Sequence, residues 1–356
     1  PRRKRSQGDI DFREVHVDFG SVTQAFHIGL GAAAAPGFLP GIFAVHERLG
    51  RVPMTRIAEP AIRAAKEGVP ITEFQAYLFG VVDPILKATP QLRDLFTDDQ
   101  DELLKAGALH KNPQLADALD ALSREGPVLA TKGEIAQAMA RQAEDAGGHL
   151  TLDDFRFYET GTRAPLVAHA GDLMIETVPP PSSGGIMVAL GLDRLEASHK
   201  RKRVPAQDLA ASLLWMNTMR EQCHGDPDAL VAIRADLKKP AKQRPQALRG
   251  TTHVSVVDAD GNAASATVSN GEGCGTLVPG CGFMLNNMLG EDDINPTGFH
   301  QWAEYMRMCS MMAPMLAHDD RGGVTALGSG GSNRIRSALL QTVILLARGA
   351  HAEDAV

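Results

Sequence analysis

The sequence predicts a layered α+β protein. Helical apolar spacing dominates the first two-thirds of the chain, and an alternating β-like pattern begins abruptly at His253. A glycine-rich turn at 328–333 then opens a last apolar-spaced stretch, 334–348, which reads as a late helix.

Taken in order, residues 53–78 carry apolar side chains at helical spacing. So do residues 115–143, punctuated by Gly126-Pro127 and stopped by Gly147-Gly148. The pattern shifts toward strand over 166–178. It then meets Pro179-Pro180-Pro181-Ser182-Ser183-Gly184-Gly185, which continues neither a helix nor a central strand. Helical segments follow from Ile186 and over 206–223. The polar, basic stretch 238–250 holds two prolines and reads as an exposed connection. Beyond it, 253–257 alternates and 263–268 is small and β-like. Asp258-Ala259-Asp260-Gly261-Asn262 lies between them, a hairpin signal with Asp-Gly at the turn. Residues 271–282 form a glycine-rich loop.

Composition narrows the function classes. The chain has 356 residues, 44% hydrophobic and 22% charged, which fits a folded globular protein. A net charge of -7 argues against a nucleic-acid partner, and the basic run Arg2-Arg3-Lys4-Arg5 reads as a solvated terminus. No apolar run approaches the roughly 20 residues that span a bilayer, so no membrane association is expected. Cys223, Cys274, Cys281 and Cys309 show neither paired spacing nor a zinc-like pattern with histidine, so no metal and no cofactor is expected. The cysteines tilt the location toward the cytoplasm for the chain as given. The chain begins at Pro1 without a methionine, so a preceding signal peptide would make it periplasmic or secreted.

Five ordered motifs carry a more specific message. Arg249-Gly250-Thr251-Thr252-His253, followed by Ser255-Val256-Val257-Asp258 and Gly261-Asn262, is the first. Asp11-Phe12-Arg13-Glu14, with Pro36-Gly37 and Pro53-Met54 behind it, is the second. The others are the Pro179–Gly185 run and the segments 280–287 and 328–335. Together they resemble the gamma-glutamyltranspeptidase family. The resemblance implies an N-terminal nucleophile hydrolase, a four-layer αββα sandwich split autocatalytically into large and small subunits of one precursor. Here those subunits would be 1–250 and 251–356. Family members carry a helix-strand segment before the DFRE-like motif and further strands after the region ending here at Val356, so the sandwich is expected to be incomplete at both ends.

The chemistry has its own logic. A threonine hydroxyl needs a base. Cleavage between Gly250 and Thr251 would give Thr251 an α-amine with a reference pKa of about 7.7–8.0, beside its own hydroxyl. Gly250 offers an uncrowded carbonyl for that cut. The resemblance makes Thr251 the nucleophile, Ser269 the residue that supports it, and the backbone N–H groups of Gly331 and Ser332 an oxyanion hole. Removing one such donor costs about 2.7–4 kcal/mol in mutant kinetics. No GxxxxGK[ST] string supports a phosphate loop.

Substrate residues follow from the resemblance. Arg13 matches the arginine that holds the glutamyl α-carboxylate, and a guanidinium suits bidentate carboxylate capture. A surface ion pair with Asp11 or Glu14 is the competing reading. Ser310 matches one family serine, and Cys309 stands where the other would be. Asn270 stands for an amine-binding asparagine. Met288 replaces a Gln or Glu, and Glu291, Asp292 or Asp293 is left to supply the acid. The implied reaction transfers a gamma-glutamyl group from an amide such as glutathione to water or an amino acid. A cephalosporin-acylase-like or polyglutamate-depolymerase-like acylase is the nearest alternative, and an unprocessed inactive scaffold is the third.

Overall fold

The computed structural model describes residues 1, 9–18, 23–199, 204–223, 226–234, 251–295, 297–331 and 333–356. The basic run 2–5, the connection 238–250 with Gly250, and Ser332 lie outside the described residues. Two compact units emerge. The first comprises Pro1–Gly161, Asn270–Glu291 and Trp302–Met306; the second comprises Thr162–Ser269, Asp292–Gln301 and Arg307–Val356.

The first unit opens with an antiparallel hairpin, β1 (Arg13–Asp18) and β2 (Thr23–Ile28), in register Arg13↔Ile28. Helices α1 (Phe38–Leu49) and α2 (Met54–Glu67) follow. The helical spacing over 53–78 does not form one helix: α2 stops at Gly68, which has φ 95°, and the chain resumes as β3 (Val69–Pro70) and α3 (Glu73–Val81). A capping box between Thr72 and Gln75 starts α3 and explains the restart. Short helices α4 (Asp83–Leu86) and α5 (Pro90–Phe96) lead to β4 (Leu109–His110), which pairs with β3. Asn112 caps α6 (Pro113–Glu125) by accepting the Leu115 N–H at 3.0 Å. Helices α7 (Val128–Thr131), α8 (Glu134–Asp145) and α9 (Leu152–Arg156) complete the run, with Gly126-Pro127 between α6 and α7 as expected. Their core includes Leu122, Leu129, Met139, Leu150 and Phe155, joined by Cys274, Val278, Cys281 and Leu285 of the glycine-rich segment.

The second unit is built around an antiparallel sheet of order β10-β9-β6-β5. Its strands are β5 (Leu166–Ala170), β6 (Leu173–Thr177), β9 (Met315–His318) and β10 (Val324–Leu327). Small or slim residues, Ala168, Ala170, Ile175 and Ala317, turn into the core and let α10 (Ser183–His199) lie against the sheet. From Ile186 to Leu190 every α10 side chain is buried, as befits a helix packed on several sides by β5, α11 (Ala206–Gln222), α12 (Pro227–Arg234) and α13 (Asn333–Leu346). Fully burying a Leu or Met there is worth about 1.5–3 kcal/mol. The expected hairpin is present as β7 (Thr252–Val257) and β8 (Ala263–Val268), packed against β9 and β10. Its turn is closed by Asp258, whose Oδ1 accepts the N–H groups of Asp260 and Asn262. A last turn of helix, α14 (Ala352–Ala355), ends the chain. No described helix is long and apolar enough to cross a membrane.

Candidate active site

Alternation along a strand puts Thr251, His253 and Ser255 on one face of the β7–β8 hairpin, with Ser265, Thr267 and Ser269 beside them. His253 is directly opposite Thr267, and Ser255 opposite Ser265. Thr251 and Ser269 lie one step beyond the Thr252–Val268 pair. The Thr251 hydroxyl is 3.5 Å from the Ser269 hydroxyl, at the long end of hydrogen-bond range. His253 Nδ1 is 2.8 Å from Thr267 Oγ1, and its Nε2 is 2.8 Å from Ser255 Oγ. Partial burial lowers the His253 pKa below its ordinary value, so the ring is neutral at pH 7.

The turn between β10 and α13 comes down on this face. A Cβ on Gly330 would fall 2.5 Å from the Thr251 carbonyl oxygen, so no larger residue fits there. Gly331 is buried with φ 102°, a conformation that glycine adopts without the steric cost other residues bear. Its carbonyl accepts the Arg334 N–H at 2.9 Å as α13 begins.

The Pro179–Gly185 run meets the Cys309-Ser310 segment. Ser183 N–H donates to the Ser310 carbonyl at 2.9 Å, and Ser182 Oγ donates to the Met312 carbonyl at 2.7 Å. Cys309 Sγ is 3.2 Å from Ser183 Oγ. Ser310 Oγ accepts the Met312 N–H at 3.0 Å, so its own proton is available to a further acceptor. Asp292 is exposed. Asp293 is engaged by Arg220, which donates to its main-chain carbonyl and lies 3.8 Å from its carboxylate. Buried Arg336 donates to Asn217 Oδ1 at 3.1 Å through Nε; burial and the neighbouring Arg220 push its pKa down to about 10.

The first unit holds the remaining expected residues. Arg13 begins β1, and its Nε donates to Asp11 Oδ1 at 3.1 Å, the ion pair weighed as its competing role. The other Asp11 oxygen accepts the Leu30 N–H at 2.9 Å, so the carboxylate that steers Arg13 is itself anchored. Asn270 is exposed, and its carbonyl accepts from Asn287 and Gly273. Asn286 and Asn287 are buried structural residues. Asn286 exchanges two hydrogen bonds with the Ala34 backbone, and Asn287 donates to the His27 carbonyl. Glu291 is buried, and a Cβ on Gly271 would come within 2.3 Å of its carboxylate. Burial raises the Cys281 pKa and pushes that of Cys274 to about 11, which keeps both thiols protonated and unreactive. A surface cleft lined by Gln137, Arg141, Glu144, Thr151, Asp153 and Tyr305 contains none of the expected site residues.

Residues 11–356 match the family model described as Gamma-glutamyltranspeptidase. The chain belongs to the gamma-glutamyltranspeptidase family. It is similar to glutathione hydrolase 3 of Arabidopsis thaliana, 28% identical over 361 residues that make up 89% of this chain and 56% of that protein. A glutathione hydrolase proenzyme of Pseudomonas aeruginosa is 28% identical over 383 residues, 94% of this chain and 68% of that one. This chain thus spans little more than half the length of the Arabidopsis relative. The crystal structure of cephalosporin acylase from Bacillus halodurans superposes with a TM-score of 0.71 at 17% identity, over 94% of this chain and 72% of that one. The fold is α+β, as expected from the sequence, and it is shared with that acylase structure.

Within this family member, the structure brings Thr251, Ser269 and Gly330 together, with Gly331 next in the turn and set against Arg334, and separately brings Ser182 and Ser183 to Cys309 and Ser310. The sequence alone gives His253 and the two serines after the prolines no role, and it gives Asp11 only that of an ion-pair partner for Arg13. The signal for His253 was present in the polar alternation 251/253/255 and 265/267/269. Asp11 and Ser183 act through pairings between distant or irregular segments, which spacing does not reveal.

Proposed function

We propose that the chain is cut between Gly250 and Thr251 and that the freed threonine is the nucleophile of a gamma-glutamyl transferase or hydrolase. The two resulting subunits are 1–250 and 251–356. The observation that carries this reading is the seating of Thr251 at the head of β7, its hydroxyl facing Ser269 and the glycine turn pressed against its carbonyl. In mechanism, the α-amine of Thr251 takes the hydroxyl proton as Oγ1 attacks the amide carbonyl. Backbone N–H groups of Gly331 and Ser332 stabilise the developing oxyanion. The amine group leaves with that proton, and water or an amino acid then releases the acyl group. The family resemblance assigns a substrate carboxylate to Arg13, Ser310 and Cys309, and its ammonium to Asn270, Glu291 and Asp292. Glutathione-like amides are the substrate class, and the chemistry runs on the chain's own groups without a cofactor.

The acylase alternative is favoured by one departure: Met288 stands where the family has a Gln or Glu, and a thioether is a poor acceptor for an ammonium. Denaturing mass spectrometry of purified precursor decides the primary reading. Two fragments meeting at Gly250/Thr251 are expected, together with turnover of a gamma-glutamyl anilide. A single intact chain without turnover would instead establish the inactive scaffold.

A further inference from the structure

The 328–331 turn rests on the hairpin at two points. A Cβ on Gly330 would collide with the Thr251 carbonyl, and one on Gly328 would lie 2.1 Å from both Cε1 and Nδ1 of the His253 ring. Gly328 therefore sits directly on the imidazole. The ring cannot swing away, because each nitrogen is held by a hydroxyl, Thr267 on one side and Ser255 on the other. Hydroxyls spaced two apart on β8 govern the approach in sequence. Ser265 Oγ donates to the Leu327 carbonyl at 2.9 Å and accepts the Met315 N–H at 3.1 Å. Thr267 acts on Gly328 through His253, and Ser269 faces Thr251, beneath Gly330.

We propose that His253 is a positioning residue: its ring, pinned at both nitrogens, is the spacer that sets the distance between the Gly331 N–H group and the Thr251 hydroxyl. This rests on Thr251 being the nucleophile. The ring touches neither substrate nor the reacting atoms. It acts by holding the near end of the turn at a fixed height while Gly330 closes on Thr251. Oxyanion donors are effective only when placed at hydrogen-bond distance from where the charge develops, and a misplacement of about 1 Å costs on the order of 100-fold in rate. Because the donors act on the transition state, a disturbed spacer lowers kcat and leaves KM nearly unchanged.

The test is a double-mutant cycle on the processed enzyme, with kcat and KM read on a gamma-glutamyl anilide. His253→Ala is expected to lower kcat about 10- to 100-fold with KM within about threefold. His253→Asn, which keeps a polar group toward Thr267, should regain part of that loss. Gly328→Ala should also lower kcat, because its methyl strikes the ring. The double variant should then be faster than Gly328→Ala alone, since the space left by the imidazole receives the methyl. Losses that simply multiply in the double variant, or a His253→Ala effect confined to KM, would overturn the proposal. Should His253→Ala fail to fold, Thr267→Val removes one pin and leaves the ring. A lowered kcat at constant KM is expected there, and an unchanged kcat overturns the spacer. A wild-type chain that neither cuts nor turns over the anilide sinks the nucleophile reading and this proposal together. An active wild type with additive variants sinks this proposal alone.

Discussion

Two glycine-rich segments of this chain do opposite things with the same residue. In the first unit, 271–282 threads Cys274, Val278 and Cys281 into the helical core, and its backbone is tied down by the Cys274 N–H to Leu285 and the Val278 N–H to Phe283. Gly275 there has φ 78°, and a Cβ on it would meet Ile28 at 2.9 Å. In the second unit, the 328–331 turn buries little apolar surface and presses bare backbone onto Thr251 and His253. Glycine richness alone therefore identifies neither a core thread nor an oxyanion turn. What distinguishes them is the neighbour: apolar side chains around Gly273 and Gly275 in one case, a main-chain carbonyl and an imidazole in the other.

Substitutions at the two segments should separate stability from chemistry. The largest effect belongs to Thr251→Ala, which is expected to abolish both fragments in denaturing mass spectrometry and all anilide turnover. Intact fragments in that variant would move the nucleophile elsewhere. Next comes Gly331→Ala, where a Cβ would lie 2.8 Å from the Arg334 guanidinium and the left-handed backbone would be strained. A loss of about 100- to 1,000-fold in kcat is expected if the N–H at this position is an oxyanion donor. Gly275→Ala should do the reverse. It should lose roughly 1–2 kcal/mol of stability in chemical denaturation while the folded fraction keeps its kcat. Equal kinetic damage from both substitutions would erase the distinction.

Arg13 asks whether the first unit also contributes chemistry. A hydrogen bond to a charged group is worth roughly 1.5–3 kcal/mol, so Arg13→Ala should cost about 10- to 100-fold in kcat/KM on gamma-glutamyl and glutaryl anilides alike. Unchanged values would leave Arg13 as the partner of Asp11 alone and put the acylase reading first. The smallest effect concerns His253. Its pKa is lowered in the folded state, so the folded protein binds this proton less well than the unfolded chain does. The contribution is present above the unfolded value of about 6.5 and is lost as pH falls below it. Thermal melts from pH 7.5 to 5.5 should therefore fall more steeply for wild type than for His253→Asn, and parallel curves would remove His253 from the pH response.

Much of this arrangement was legible before the structure. The β7–β8 hairpin was visible because 253–257 alternates and Asp-Gly marks its turn, and the late helix because a glycine turn precedes an apolar period. Strands β9 and β10 are hidden because four residues each are too few to display a period, and their place in the sheet depends on β9 pairing with β6 across a long stretch of chain. The hairpin β1–β2 was hidden because its strands mix charged and apolar residues and expose much of their surface. At the site, Thr251, Ser269 and Gly331 were reached through the family resemblance, whereas the Gly328–His253 contact depends on a backbone approach that residue type alone cannot express.

The central sheet has a consequence for the severed molecule. Strands β5 and β6 precede the proposed cut, β9 and β10 follow it, and Ile175 of β6 pairs with Ala317 of β9. The first compact unit likewise mixes chain from both sides, since Asn270–Glu291 packs with residues before Gly161. Cleavage would thus leave each compact unit built from two interlocked chains. A sizing column would not register the nick, although a denaturing gel would. Unfolding, however, would release two independent polymers, so dilution would favour the unfolded side and refolding would require an encounter in solution. The mature form would owe its lifetime to the slowness of opening rather than to an equilibrium to which it could readily return.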